Sequence, residues 1–277
     1  MISFLPSLPL WLSALLVVGL TTLLAMLGPV IVRRYVPLER LETNNEVAGF
    51  KFAAVAVLYA VLLAFAVIVV WERFSEAETN VAKEAGAAAT IYRLSQGMSE
   101  EQGAALRSAL TNYLKVTISD DWPAMERGHG SRSAQQALDV IYKELLTSGD
   151  RDDPRTAAVV SHVLHQLDTI TGMRRARLAA AEGLVPGVIW PVLFGGAFVT
   201  IAYTFFFGAE SLRAQALMTG MLAAVIFAGL LTAIVIDRPF VRVVKVHPDP
   251  IAEVSDFGSS AAPPKPSNPP ETSTIPN

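Results

Sequence analysis

Three side chains that could bind a metal are spaced along one polar stretch of the sequence. His162, His165 and Asp168 follow one another at intervals of three residues, so on a helix the two imidazoles share a face. A protein zinc site needs about three or four ligands, and the sequence nearby offers no clear further one. We therefore interpret these residues as the half-buried polar strip of a bundle helix and expect no metal.

Two acidic pairs, Asp120-Asp121 and Asp152-Asp153, could offer carboxylate oxygens to calcium. A calcium site gathers about six to eight oxygen ligands. Each pair stands beside a proline, in the sequences DDWP and DDP, where acidic residues commonly form turns and helix caps. We interpret both pairs as turn and cap residues.

The sequence contains no recognised catalytic motif. It has no cysteine, which removes disulfides, thiolate metal sites and thiol nucleophiles. It also lacks a glycine-rich phosphate loop, a GxSxG turn and an HExxH zinc motif. We expect neither an enzyme nor a cofactor, and a formal net charge of -3 gives no indication of a nucleic-acid partner.

Two arginines lie one helical turn apart, shortly before an apolar run. They are Arg174 and Arg177, and the run begins at Val185. A structural interpretation is that they extend to the membrane interface or follow the inside-positive bias. A functional interpretation is that a ring of such arginines raises the anion concentration at a pore mouth. Both place the two side chains near the membrane.

The element that must position these groups is a long helix in the first third of the chain. Residues 52–71 carry no charge, and at about 1.5 Å of rise per residue they span a hydrocarbon core of about 30 Å. No proline or glycine follows before Gly86. The helix should therefore leave the membrane unbroken and connect the bilayer to a soluble region.

Composition favours an integral membrane protein. Charged residues make up 17% of the chain and the mean hydropathy is +0.42, whereas soluble domains average about 25% charged residues. We predict an all-α fold with four transmembrane helices, placed at residues 8–32, 52–71, 185–208 and 216–236.

The remaining segments are predicted to lie outside the bilayer. Residues 72–184 show helical patterns without strand-like alternation, which predicts a helical domain inserted between membrane helices two and three, so that the membrane parts are residues 1–71 and 185–246. Residues 247–277 hold eight of the seventeen prolines. This composition predicts a disordered tail.

The distribution of basic residues predicts the orientation. Four spans place both termini on the same side as the inserted domain. That side has eight basic residues near the membrane, namely Arg73, Lys83, Arg174, Arg175, Arg177, Arg238, Arg242 and Lys245. The other side has five, namely Arg33, Arg34, Arg40, Lys51 and Arg213. The inside-positive rule therefore favours a cytoplasmic domain and cytoplasmic termini.

Several segments of the chain resemble one family. They are residues 49–93, RRARL at 174–178, residues 186–190, Phe207-Gly208 and the DRPF motif at 237–240. Together they are similar to the bestrophin-like family of bacterial membrane proteins. Its distant relatives, the bestrophins, are oligomeric anion channels with four membrane helices per subunit and a helical cytosolic domain. The acidic cluster of the calcium-gated bestrophins is missing, which argues against calcium gating.

The resemblance implies a homo-oligomer, such as a pentamer, that passes small anions through the bacterial inner membrane. In the central helix, bulky apolar side chains recur at spacings of three to four residues, and they are the pore-lining candidates Leu58, Leu62, Phe65 and Val69. Around an axis they would form a hydrophobic constriction. In a single copy the same row would face lipid or a protein core.

Small residues form a second row on the central helix. Ala56, Ala60 and Ala64 are spaced for close helix packing. The alternative function is a non-conducting membrane scaffold or sensor whose soluble helices bind a protein partner, because hydrophobic pore rows and packing rows look alike in a sequence.

Overall fold

The computed structural model describes residues 10–43, 45–147, 154–241 and 244–260. Every regular element within these ranges is helical, as the sequence predicts. The α-helices are α1 Leu10–Tyr35, α2 Leu38–Glu42, α3 Asn45–Leu94, α4 Glu100–Val116, α5 Trp122–Met125, α6 Arg132–Thr147, α7 Pro154–Glu182, α8 Ile189–Thr204, α9 Leu212–Ile236 and α10 Asp249–Ser260.

Helix α3 is continuous over 50 residues. Its two halves differ in composition: residues 52–71 carry no charge, whereas charged and small residues alternate beyond Trp71. Without a proline to remove a backbone hydrogen bond, the helix has no reason to break where its surroundings change. It ends at Leu94, where a short 3-10 turn, Ser95–Gly97, leads to α4.

The second half of α3 packs mainly with α7 and α10, and α4 packs against α6 and α10. These helices, with α5, are called here the bundle (residues 72–147, 154–182 and 244–260). α4 begins after Ser99, whose Oγ accepts a hydrogen bond from the backbone N–H of Gln102 and so caps the helix. α7 begins at Pro154. The bundle core is apolar and closely packed, and its fully buried members include Ala88, Ile91, Leu110, Ile141 and Ile170.

The other half of α3 packs with α8 and α9, and α9 packs in turn against α1. Glycines allow these helices to approach closely. A Cβ at Gly196 of α8 would lie 2.6 Å from the ring of Tyr59, and one at Gly220 of α9 would lie 2.8 Å from the Met26 side chain of α1. α9 therefore stands between α1 and α3.

Within the described residues, three helices are long and apolar enough to cross a membrane: α1, α3 and α9. α8 is apolar but has only 16 residues, or about 24 Å at 1.5 Å per residue. The predicted span at 185–208 is too long, because residues 183–188 form an irregular turn around Gly183, whose φ is +129°. The helix also stops at Thr204.

The predicted disorder after residue 247 is wrong for residues 249–260, which form α10. Its Ile251 is fully buried and Val246, just before it, is 4% exposed. The Trp122 indole N–H donates to the Val246 carbonyl at 3.4 Å. Apolar side chains on one side of this proline-rich segment hold it against the bundle, and residues 261–277 lie outside the described residues.

Candidate functional site

The two arginines expected at a pore mouth are buried in the bundle. Arg177 is 0% exposed and Arg174 is 5% exposed. Arg177 Nε lies 3.0 Å from Glu84 Oε2, and its Nη2 lies 3.2 Å from Glu84 Oε1. Arg174 contacts Asp121 in the same two-pronged way, at 3.0 and 3.1 Å. Such forked pairs are among the strongest hydrogen-bonded ion pairs in proteins.

The two pairs join into one charge network, consisting of Glu84, Asp121, Arg174 and Arg177. Arg177 Nη2 also reaches Asp121 Oδ2 at 3.2 Å, so two carboxylates balance two guanidinium groups. The Trp122 ring lies 4.6 Å from the Arg177 guanidinium carbon, a cation-π contact. A buried charge is costly without a partner, and here each charge has one.

Tyr113 completes the network by donating its hydroxyl proton to Glu84 Oε1 at 2.7 Å. Burial raises the pKa of Tyr113 well above its usual value, and the negative charge of Glu84 raises it further. Burial alone would lower the pKa of Arg177, but Glu84, Tyr113 and Asp121 together outweigh that effect and the pKa is raised. Both groups stay in the protonated form that the network needs.

This geometry contradicts the predicted anion-attracting role of Arg174 and Arg177. Neither faces an aqueous vestibule, and their charges are compensated inside one copy of the chain. The error has a physical cause: α7 packs alongside α3, so residues just before the turn at Gly183 are drawn into the bundle core rather than to the bilayer.

A local irregularity brings Asp121 into the core. Residues 117–121 form a π-helical turn between α4 and α5, and such turns often occur where a side chain must be re-aimed. Asp121 Oδ1 then accepts a hydrogen bond from the backbone N–H of Ser131 at 2.7 Å.

The sequence could have indicated the burial of Glu84. This carboxylate is followed by a run of small residues, Ala85–Ala89, which is typical of a buried helix face.

The other candidate ligands are dispersed. His162, His165 and Asp168 all point to solvent, and no group of three or more metal-binding side chains forms among the described residues. Asp120 accepts hydrogen bonds from the hydroxyls of Ser133 and Ser119, which lower its pKa. Asp152 and Asp153 lie outside the described residues.

The membrane half of α3 has one packed face and a broad uncovered one. Tyr59 and Val70, both buried, mark the packed face, which continues into the bundle through Ala77, Val81 and Ala88. At about 100° per residue, the opposite side carries Val61, Phe65, Ile68 and Glu72, all exposed. We call this side the outward face.

The two predicted rows lie on either side of the outward face. Leu58, Leu62, Phe65 and Val69 are 72%, 40%, 63% and 46% exposed; Phe65 lies on the outward face and the others lie on one flank. Ala60 and Ala64 are exposed on the other flank and Ala56 is half-buried. None of the three alanines packs closely within one copy of the chain.

Two residues of the motifs, Asp237 and Gly208, form hydrogen bonds at the ends of the membrane helices. Asp237, after α9, accepts the backbone N–H groups of Leu184 and Val185 at 3.1 and 2.9 Å. At the other end, the Asn45 amide exchanges hydrogen bonds with the backbone of Gly208, at 2.6 and 3.0 Å. A Cβ at Gly208 would lie 2.7 Å from the Glu42 nitrogen, so glycine is required there.

Comparison with known structures gives the same fold. A bacterial bestrophin homologue from Klebsiella pneumoniae, in a point-mutated form, matches with a TM-score of 0.68 and 13% identity, over 88% of this chain and 98% of that chain. The crystal structure of the homologue from the same organism determined by Zn-SAD phasing matches with a TM-score of 0.67 and 13% identity, over 88% and 97% of the two chains.

A crystal structure described as a membrane protein matches with a TM-score of 0.69 and 14% identity, over 89% of this chain and 97% of that one. No curated protein sequence matches the chain. The family description "Bestrophin-like domain" matches residues 19–251. The chain therefore belongs to the bestrophin-like family.

Proposed function

We propose that this protein is an oligomeric ion channel in which copies of α3 surround a central axis. One observation carries the proposal: the outward face of α3 is apolar and uncovered through its whole charge-free segment, although the opposite face is well packed. A pore row of Val57, Val61, Phe65 and Ile68 follows from that placement. Apolar side chains around a narrow axis make a constriction that gates by dewetting.

The flanks of α3 support a ring. Bulky Leu58, Leu62 and Val69 lie on one flank and small Ala60 and Ala64 on the other, so the large row of one copy meets the small row of the next. A contact between two different surfaces closes into a ring when its rotation fits. Self-association, with a pentamer as the expected ring, is part of the proposal, and α1, on the far side of α9, faces lipid.

Small anions are the permeant ions that the family resemblance implies. Arg174 and Arg177 no longer add to that expectation, because each is buried and paired within one copy. The preference for anions therefore depends on the resemblance alone.

The bundle and both termini belong on the cytoplasmic side of the bacterial inner membrane in this proposal. Because the chain has no cysteine, a single cysteine reports sidedness directly. Ser108→Cys, exposed on α4, should stay unlabelled by an impermeant thiol reagent in intact cells, whereas Thr43→Cys, exposed beside α3, should be labelled. The reverse pattern would invert the orientation.

The decisive experiment is ion flux into liposomes that contain the purified oligomer. Flux above that of empty vesicles supports the channel. A well-folded oligomer without flux would overturn the proposal and favour a non-conducting scaffold whose bundle binds a protein partner.

A further inference from the structure

An apolar cavity of about 300 Å³ lies between α1, α8 and α9. Much of its wall consists of phenylalanine side chains, which are Phe194, Phe198, Phe205 and Phe227. The polar side chain among its lining residues is Thr21, whose hydroxyl donates to the Val17 carbonyl of its own helix. A bound water needs about two to four polar partners. The cavity therefore suits an apolar guest rather than water.

The cavity opens toward the bilayer. Leu24 of α1 and Phe198 of α8 both line it, and they are 57% and 71% exposed, so they stand at its rim. Two of the three walls, α1 and α9, are long and apolar enough to cross a membrane. α9 separates α1 from α3, which places the rim away from the axis that α3 is proposed to line. Hydrocarbon is therefore the medium at the rim.

The length of the cavity matches one lipid chain. Phe194 and Phe205 are eleven residues apart, or about 16 Å at 1.5 Å per residue. Half of a hydrocarbon core of about 30 Å is about 15 Å, which is the depth that the chains of one leaflet fill. Phe205 directly follows α8 at the end away from the bundle, where a Cβ at Gly28 of α1 would overlap its ring. The cavity therefore belongs to the leaflet away from the bundle.

Uncompensated positive charge lies just beyond this end of the cavity. Arg33 and Arg34 stand in the last turn of α1, about 8 Å along the helix from Gly28. Arg33 Nη2 donates to the Ala209 carbonyl, which is neutral. Neither arginine forms an ion pair with any described residue, the exposed Glu210 included. A guanidinium has several N–H donors, and a phosphate at the headgroup level is an acceptor that fits them.

We propose that this cavity holds one acyl chain of a phospholipid from the leaflet away from the bundle, with the lipid phosphate against Arg33 and Arg34. The chain fills the space that the three helices leave open, and the phosphate neutralises charge that the protein leaves unpaired. The site lies outside the proposed pore, so the inference does not depend on conduction.

The test of the cavity is native mass spectrometry of the purified protein in a mild detergent, which counts the phospholipid that each copy retains. The wild type should retain a phospholipid on each copy, and Ala202→Phe, which fills the cavity from α8, should lose it. The matched control is Val225→Phe. Val225 is 72% exposed and lies about 160° around α9 from Phe227, so its replacement should leave retention unchanged. Leu24→Trp, at the exposed rim, is a second filling variant in case Ala202→Phe does not fold.

The phosphate contact is tested by titrating delipidated protein with phosphatidylglycerol in detergent micelles. Arg33→Gln combined with Arg34→Gln should raise the apparent dissociation constant on the order of tenfold, because each arginine near a lipid phosphate contributes to binding. Arg40→Gln removes an exposed charge from α2 and should leave the dissociation constant unchanged.

Each part of the proposal has its own contradicting outcome. A wild type that retains no phospholipid, or filling variants that retain as much as the wild type, would overturn the cavity as a lipid site. An unchanged dissociation constant in the double arginine variant would overturn the phosphate contact. Size-exclusion chromatography confirms that every variant is folded, and because none of these measurements reports ion flux, their failure leaves the channel proposal untouched.

Discussion

The two halves of α3 use their side chains in opposite ways. In the bundle half, Glu84 lies on the packed face, where Arg177 and Tyr113 satisfy it within one copy of the chain. In the membrane half, the packed face is apolar apart from Tyr59, and the uncovered face holds Phe65 and Ile68. The charged groups of the bundle half are paired within a single copy. The membrane half has an apolar face that only lipid or further copies can cover.

This contrast separates stability from assembly and conduction. A change in the charge network should unfold the bundle, whereas a change on the uncovered faces of the membrane half should alter the oligomer or the flux and leave each copy folded. The predictions below test that separation in order of decreasing effect.

The largest effect is expected for Arg177→Met. It leaves the Glu84 carboxylate fully buried with only the Tyr113 hydroxyl, which costs about 3 to 5 kcal/mol of folding free energy. Thermal unfolding of the purified protein measures the loss, and Glu84→Gln combined with Arg177→Met should recover part of it. The control is Arg73→Met, which breaks a largely exposed pair on the same helix and should cost about 0 to 1 kcal/mol. Equal losses in both variants would show that the buried network stabilises the bundle no more than an exposed ion pair does.

Ala60→Leu should weaken the oligomer without unfolding the copy. Ala60 is exposed in one copy, so a larger side chain has room there, but at a close helix contact between copies overpacking costs roughly 1 to 3 kcal/mol. Light scattering in detergent measures the assembled mass. Ala228→Leu, exposed on α9, should leave the mass unchanged. If Ala60→Leu also leaves it unchanged, this flank faces lipid.

Phe65→Ala should raise ion flux, because a wider apolar constriction hydrates more readily. We expect a change on the order of tenfold, or about 1.4 kcal/mol of barrier. Liposome flux and thermal unfolding are measured on the same preparation, and Leu62→Ala, on the flank, serves as the comparison. Flat flux with a loss of about 3 to 5 kcal/mol in stability would assign Phe65 to helix packing instead.

The smallest effect is expected at the junction between the halves. Asp237→Ala removes the side-chain acceptor of the Val185 N–H and one of the two acceptors of the Leu184 N–H, which keeps the Asp237 main-chain carbonyl at 3.0 Å. The variant should cost about 1 kcal/mol, chiefly for the Val185 hydrogen bond. Asp237→Asn keeps a side-chain oxygen in place and should melt closer to the wild type. A melting temperature that is the same for all three proteins would show that water replaces the carboxylate.

The sequence predicted α3 well, because its signals are local. A charge-free run of residues 52–71 and the absence of a breaker before Gly86 determine both its start in the membrane and its continuation. The starts of α4 and α7 depend on equally local features, the capping serine Ser99 and the first-turn proline Pro154.

The charge network was not predictable in this way. Glu84 and Arg177 are 93 residues apart, and their pairing depends on how α7 packs along α3. Arg174 and Arg177 were assigned to the membrane by their nearness to Val185 in the sequence, but the fold turns them inward. The predicted pore row of Leu58, Leu62, Phe65 and Val69 stays a prediction. Periodicity identifies apolar stripes, whereas the burial of Tyr59 and Val70 shows which side of α3 is packed in one copy.

The unbroken length of α3 also has a mechanical consequence. Its 50 residues form a rod of about 75 Å at 1.5 Å per residue. A stiff rod cannot tilt at one end alone: a tilt of about 5° around the outer end of a rod of this length moves Leu94 by about 6 Å. A thinner or thicker bilayer that changes helix tilt would therefore shift α4 and α10, so that the far end of the bundle responds to the dimensions of the lipid around the membrane half.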